Sequence, residues 1–140
     1  MKTKKTKPVK DYKFSRLQKK WIEALESGKY KQGTGYLCQK GPDGQFRYCC
    51  LGVLCETYNS SHKTNPIKKN LEITSIIDYE SQIGLLPDKV YRAAKLYSSG
   101  GMIKKRGFNN LMILNDIRKW SFKQIASFIK ENPTAVFSND

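Results

Sequence analysis

The stretch Cys49–Tyr58 constrains the fold more than any other part of the chain. It reads Cys-Cys-Leu-Gly-Val-Leu-Cys-Glu-Thr-Tyr, with Glu56 its single charge. A run this apolar has to be buried, so the remaining elements must be arranged around it. Periodicity leaves two forms open, a short buried helix or a buried strand. The helix is favoured, ending near Tyr58 and Asn59. Gly52 at its middle has no Cβ, which lets a second backbone come close.

The flanking segments supply the partners. Ser15 is a good N-cap for a helix from about Ser15 to Ser27, with Phe14, Leu17, Trp21, Ala24 and Leu25 on one face. Gly28 stops it. Tyr30–Gly35 is a glycine-bearing connector. Tyr36–Gln39 and Gln45–Tyr48 flank Gly41-Pro42-Asp43-Gly44 and form a β-hairpin. A polar loop over Ser60–Asn70 precedes strand-like composition at Leu71–Ile77. Pro87 sits in the first turn of a helix over about Asp88–Tyr97. A loop or hairpin tip surrounds Met102 and Ile103, and a helix covers about Asn109–Asn115. Ser121 caps a last helix with a stripe of Phe122, Ile125, Ala126 and Ile129, which Pro133 ends.

These elements specify an α+β fold, a small antiparallel sheet packed by three to four helices. Trp21, Leu25, Leu51, Leu54, Leu114, Ile125 and Ile129 should form its core. At 140 residues the chain fits one domain. Residues 14–140 are assigned to it, and residues 1–13 to a flexible basic arm.

The charge is uneven. Net charge is +14, and residues 1–20 hold nine cations against Asp11 alone, a balance of +8. The arm and the start of the first helix contribute Lys4, Lys5, Lys7, Lys10, Lys13, Arg16, Lys19 and Lys20 to a candidate nucleic-acid-binding set. Residues 21–140 carry the remaining +6. No stretch reaches the roughly 18 apolar residues of a membrane span, so no membrane partner is expected. The N-terminus has no apolar run of the secretory type.

Three of the four cysteines, Cys49, Cys50 and Cys55, crowd into seven positions. A disulfide framework spaces its cysteines more widely, and zinc knuckles need pairs two to four residues apart. The thiols are read as reduced, buried and apolar, with no metal and no cofactor. A cysteine nucleophile would need a base, and His62 in its polar loop is the single histidine. The carboxylates form no paired motif. No catalytic residue is assigned, and the chain is read as a non-enzyme.

Binding is the better expectation. Tyr30, Lys31, Gln32, Tyr36, Arg47 and Tyr48 form an aromatic and basic cluster in which rings stack on a base while Lys31 and Arg47 meet phosphate. The Gly33-Thr34-Gly35 turn is read as a turn first, with an anion nest of backbone amides as its softer form. Asn109–Asn115, a turn and Ser121–Glu131 look like the opening of a helix-turn-helix. The last helix offers base edges little beyond Lys123, Gln124 and Lys130, so an αα-hairpin packed on the sheet is preferred.

The order Trp21-x3-Leu25-x-Ser27-Gly28-x-Tyr30-x-Gln32-Gly33, then Tyr48-Cys49-Cys50-Leu51-Gly52-Val53-Leu54-Cys55, Leu86-Pro87, Leu114-Asn115-Asp116 and Ser121-Phe122-x2-Ile125-Ala126 resembles a family of small tailed-bacteriophage accessory proteins, mostly uncharacterised. It covers roughly residues 16–131. Relatives often carry a glycine in the turn that here reads Ile117-Arg118-Lys119-Trp120. The resemblance implies a phage accessory protein acting in the host cytoplasm, and it carries no catalytic residues across. The leading expectation is counter-defence, by sequestering a nucleotide-derived signalling molecule at the Tyr30–Tyr48 cluster. The alternatives are nucleic-acid binding through the basic arm, and inhibition of an acidic host protein.

Overall fold

The computed structural model describes residues 11–71 and 75–139. The apolar run is a helix, and the rest of the domain is built on it. The first helix, α1, spans Arg16–Glu26. Ser15 caps it reciprocally: its Oγ accepts from the Gln18 amide, and Gln18 Oε1 accepts from the Ser15 amide. Its buried side is Leu17, Gln18, Trp21, Ile22 and Leu25. Gly28 follows at φ +76°, a conformation that costs a glycine nothing.

The central helix, α2, spans Cys50–Ser61, two residues beyond the expected end. Every residue from Cys50 to Cys55 is buried, so the helix is apolar all round and is surrounded by other elements. The glycine expectation holds in a stringent form. A Cβ at Gly52 would lie 1.7 Å from the Leu37 carbonyl oxygen. The Leu37 backbone therefore rests on the helix itself. Trp21 Nε1 donates to the Cys50 carbonyl at 3.0 Å, locking α1 to the same end of α2.

Strands are short. The first three are β1 (Lys31–Gln32), β2 (Cys38–Lys40) and β3 (Phe46–Tyr48), in spatial order β1-β3-β2. The β2–β3 pair is the expected antiparallel hairpin. The connector expected at Tyr30–Gly35 instead supplies β1, which runs parallel to β3. Two residues are too few for any period to register. A second pair, β4 (Lys69–Leu71) and β5 (Ile77–Tyr79), is antiparallel. The single strand expected at Leu71–Ile77 is thus corrected: its ends belong to two different strands, and residues 72–74 between them lie outside the described residues. The last pair is β6 (Met102–Lys105) and β7 (Phe108–Asn110), a true hairpin. The fold is α+β with three small sheets in place of one.

The remaining helices are α3 (Asp88–Ala94), α4 (Leu111–Asp116), α5 (Phe122–Glu131) and α6 (Pro133–Val136). The α3 helix stops three residues early, because Lys95 turns left-handed and Leu96 then bridges to Phe137. Asn109 and Asn110 belong to β7, and Asn110 caps α4. Pro133 ends α5 and also opens α6, the position at which its missing N–H matters least. The α4 and α5 helices pack chiefly on α2 and α1, and Phe128 of α5 also meets Phe108 of β7 at 4.9 Å. All seven expected core residues are buried. No helix among the described residues is long and apolar enough to cross a membrane.

One buried side chain joins the parts. Asn115 Oδ1 accepts from the Cys50 amide at 3.1 Å and from Gln32 Nε2 at 2.8 Å, while its Nδ2 donates to the Gly33 carbonyl at 2.9 Å. A single amide thus ties α4 to the first turn of α2 and to the end of β1.

Candidate functional site

The structure brings most of the expected cluster together and also occupies it. Lys31 pairs with Arg47, and Gln32 with Tyr48, across β1 and β3. The Tyr30 ring meets Tyr48 edge-on at 5.1 Å. Tyr36, half-buried ahead of β2, joins neither pair. Asp43 in the hairpin turn takes both cations. Arg47 donates from Nη1 and Nη2 to its two carboxylate oxygens at 3.1 and 3.3 Å, and Lys31 Nζ lies 3.6 Å away. Arg47, the Gln45 amide and Lys31 hold the Asp43 carboxyl far below the ordinary carboxylate range.

Other members serve the fold. Gln32 Nε2 donates to Asn115 Oδ1 and the Trp120 carbonyl, both at 2.8 Å. The Gly33 amide is spent on the Tyr48 carbonyl at 2.8 Å, which removes it from an anion nest. Burial pushes the Tyr30 and Tyr48 phenols up, with Glu56 adding to both. An anion arriving here would meet an ion pair already made.

The burial expected of the cysteines is found. All four are free and buried. Burial pushes Cys38 up to about 11 and Cys49 up to about 12, and raises Cys50 and Cys55 well above the ordinary thiol value. They are protonated at neutral pH and poor nucleophiles. The His62 ring stacks on Tyr58 at 4.0 Å, with Nδ1 3.0 Å from the Tyr58 carbonyl oxygen. Among the described residues, no three His, Cys, Asp or Glu side chains are grouped to hold a metal ion. Glu56 is satisfied by the Tyr79 hydroxyl at 2.6 Å and Lys69 Nζ at 2.8 Å.

The open site lies on another face. Residues 92–123 hold eight cations, Arg92, Lys95, Lys104, Lys105, Arg106, Arg118, Lys119 and Lys123, against Asp116 alone. That balance of +7 exceeds the +6 of residues 21–140 taken together, so the basic charge of that stretch is concentrated here. All eight side chains are exposed, and none makes an ion pair among the described residues.

Contacts tie five of them, Arg92, Lys95, Lys104, Arg118 and Lys123, to aromatic rings or to clefts that rings line, and the other three are their chain neighbours in the β6–β7 hairpin and the α4–α5 turn. A cleft of about 430 Å³ beside the end of α3 is lined by Tyr91, Arg92, Lys95, Leu96, Tyr97 and Ser138. Lys104 Nζ sits 4.5 Å from the Tyr97 ring centre and joins the cleft to β6. At the tip of the β6–β7 hairpin, Arg118 Nη2 donates to the Gly107 carbonyl at 2.8 Å and its guanidinium lies 5.2 Å over Phe108. Phe108 meets Trp120 edge-on at 6.0 Å. Trp120 and Lys123 then open a groove of about 510 Å³ along α5. Ile117 stands 73% exposed in the α4–α5 turn, an apolar side chain amid the cations.

Of the basic N-terminal set, the start of α1 lies beside the end of α3. Lys4, Lys5, Lys7 and Lys10 lie outside the described residues. Tyr12 packs on Phe14 and Phe137, and is near enough to Tyr97 to interact with it electrostatically. Gln18 Nε2 donates to the Ala94 carbonyl at 2.9 Å, fixing the start of α1 beside the end of α3. Arg16 lies there next to Ala93, Lys13 and Lys19 are exposed, and Lys20 faces a separate hollow with Tyr30.

One family model, described as a domain of unknown function, matches residues 14–133. No curated protein and no solved structure matches the chain.

Proposed function

The chain belongs to the DUF8296 family, a domain of unknown function, and we propose that it is a nucleic-acid-binding accessory protein of the tailed-bacteriophage kind, working by binding in the host cytoplasm. The observation that carries this reading is the basic path from Arg92 to Lys123, exposed, unpaired among the described residues and interleaved with rings. Each phosphate met by such a cation releases a condensed counterion, which gives affinity without sequence preference. The motif resemblance around Tyr48–Cys55 supports the phage setting.

The test is the salt dependence of binding to a labelled oligonucleotide, read by fluorescence anisotropy. If half of the eight cations on this path meet phosphate, the logarithm of affinity should fall with a slope of about −3 against log salt for a single strand. That is roughly a fifty-fold loss between about 50 and 200 mM salt. Replacing Lys105 and Arg106 together by alanine should make the slope shallower by about 1.4 and leave folding intact, since both are exposed. Deleting residues 1–10 should weaken binding without abolishing it. Binding that ignores salt, or its absence at low salt, refutes the proposal.

A second reading has its own observation. The cleft of about 430 Å³ beside α3 has the volume of a small-molecule site, with two tyrosines and two cations among its lining. A free nucleotide-derived signal would be held there, and sequestering it would be counter-defence. Mass spectrometry of small molecules released on denaturing the purified protein tests it: a stoichiometric nucleotide supports this reading, and an empty protein counts against it.

A further inference from the structure

Resting on the nucleic-acid reading, we infer that the cleft beside the end of α3 receives one unpaired base, so that the ligand is a single strand and not a duplex. The cleft is concave and about 430 Å³, and a base paired within a duplex cannot enter a concavity. A splayed base in a single strand can, and stacking on an aromatic ring is the usual way such bases are held.

The rings are fixed in advance. The Tyr97 hydroxyl donates to the Thr134 carbonyl at 2.8 Å, which sets the ring's position. Buried Leu96 forms the floor and bridges to Phe137, and the Ser138 amide donates to the Lys95 carbonyl at 2.7 Å to close one wall. A site ordered before binding loses less entropy on binding. The Arg92 guanidinium lies 5.3 Å over Tyr91 and Lys104 Nζ lies 4.5 Å over Tyr97, so each ring has a cation over one face, close enough to meet an adjoining phosphate. Among the described residues the lining contains no carboxylate, in contrast to the cluster that Asp43 occupies.

Backbone conformation adds an independent observation. Lys95 at the cleft is left-handed, at φ +64°, and so is Lys119 in the α4–α5 turn, at φ +57°. Glycine occupies such positions without the steric cost an L side chain meets. Both positions instead carry exposed lysines on the basic path. Ser75, Glu80 and Ser81 share the conformation away from the path, so what is particular to Lys95 and Lys119 is that a left-handed backbone and an exposed cation coincide.

That pairing supplies the test. Lys95→Gly removes the charge while relieving the backbone, so it should keep or raise the melting temperature. Tyr97→Leu keeps an apolar side chain and removes the ring. Anisotropy is measured for each variant and the intact chain with a thymidine oligonucleotide of about twenty nucleotides, a uridine one, and a duplex of equal length. The expected result is at least about tenfold tighter binding of the single strands, and a several-fold loss of that preference in both variants with folding retained. A 2-aminopurine base in the strand should be quenched by the intact chain and not by Tyr97→Leu. Equal affinity for strand and duplex, unchanged by Lys95→Gly, overturns the inference and leaves the nucleic-acid reading standing. No binding to either refutes both. Saturation of the cleft by a free mononucleotide with no strand binding also overturns it, in favour of a small-molecule ligand.

Discussion

Raising the pH should unfold this protein steeply, and the four buried cysteines set the slope. In an unfolded chain a thiol ionises near about 8.5. In the folded chain burial holds Cys38 up to about 11, Cys49 up to about 12, and Cys50 and Cys55 well above the ordinary value. The folded state therefore keeps protons that the unfolded state has released. Stability is full below about pH 8.5 and is lost as pH rises toward the folded values. Each such proton is worth about 1.4 kcal/mol per pH unit, so four thiols cost roughly 5 kcal/mol per unit between about pH 9.5 and 10.5. Total stability of a domain is about 5–15 kcal/mol, so one to two units exhaust it. Burial also raises Tyr30, Tyr48 and Tyr79, which steepen the loss above about pH 10.

The assay is urea denaturation in reductant at several pH values from about 7 to 10. The midpoint should be flat to about pH 8 and then fall. Cys50→Ala should lower stability at neutral pH by about 1 kcal/mol, remove about a quarter of the slope, and leave oligonucleotide binding alone. A stability at about pH 10 within about 1 kcal/mol of its neutral value would refute the reasoning, because the thiols would then have to be solvated in the folded state.

Asn115→Ala removes the acceptor of the Cys50 amide and the donor to the Gly33 carbonyl, and should cost about 2–5 kcal/mol in the same titration. Gly52→Ala places a Cβ against the Leu37 carbonyl and should cost more than about 4 kcal/mol or yield no folded protein, while Gly84→Ala, with nothing within 4 Å, should change the midpoint little. Replacing Lys31 and Arg47 together by alanine should leave oligonucleotide affinity within about twofold, because Asp43 already holds both; a larger loss on a folded protein would restore the cluster as the site.

The parts of the fold legible in the sequence are those that a local rule decides. Ser15 and Ser121 cap helices because their hydroxyls meet amides three residues on, a geometry needing nothing distant. The run from Cys50 to Cys55 is so apolar that only a central position suits it. The strands are different. Lys31 and Gln32 form β1 because α1 and Asn115 deliver them to the edge of β3, and two residues alone carry no period. Of the expected cluster, Lys31 and Arg47 are cross-strand partners, and both pair with Asp43. Asp43 looks like a turn residue in sequence, and only the closed hairpin shows its carboxylate reaching Arg47. The basic path is hard to see in sequence because its cations are divided among the end of α3, a hairpin and a turn, while residues 1–20 carry denser charge. The signal was present as Tyr91-Arg92-x2-Lys95-x-Tyr97 followed by Lys104-Lys105-Arg106, rings and cations in alternation.

The same geometry decides how α4 and α5 take part. Their sequence resembles the opening of a helix-turn-helix, whose second helix must enter a major groove. Lys130, one of the two cations of α5, is held by Glu26 of α1. Glu131 lines the groove beside Lys123, so the net charge that α5 brings there is close to zero. The turn ahead of it is pinned to the β6–β7 hairpin, where Arg118 donates to the Gly107 carbonyl, so α5 is not free to enter a groove alone. A flexible strand has no such constraint. It can follow the path from the tyrosine cleft across the hairpin to Trp120, meeting cations and rings in turn, and on the proposed nucleic-acid reading that difference in shape, more than in charge, favours a single strand.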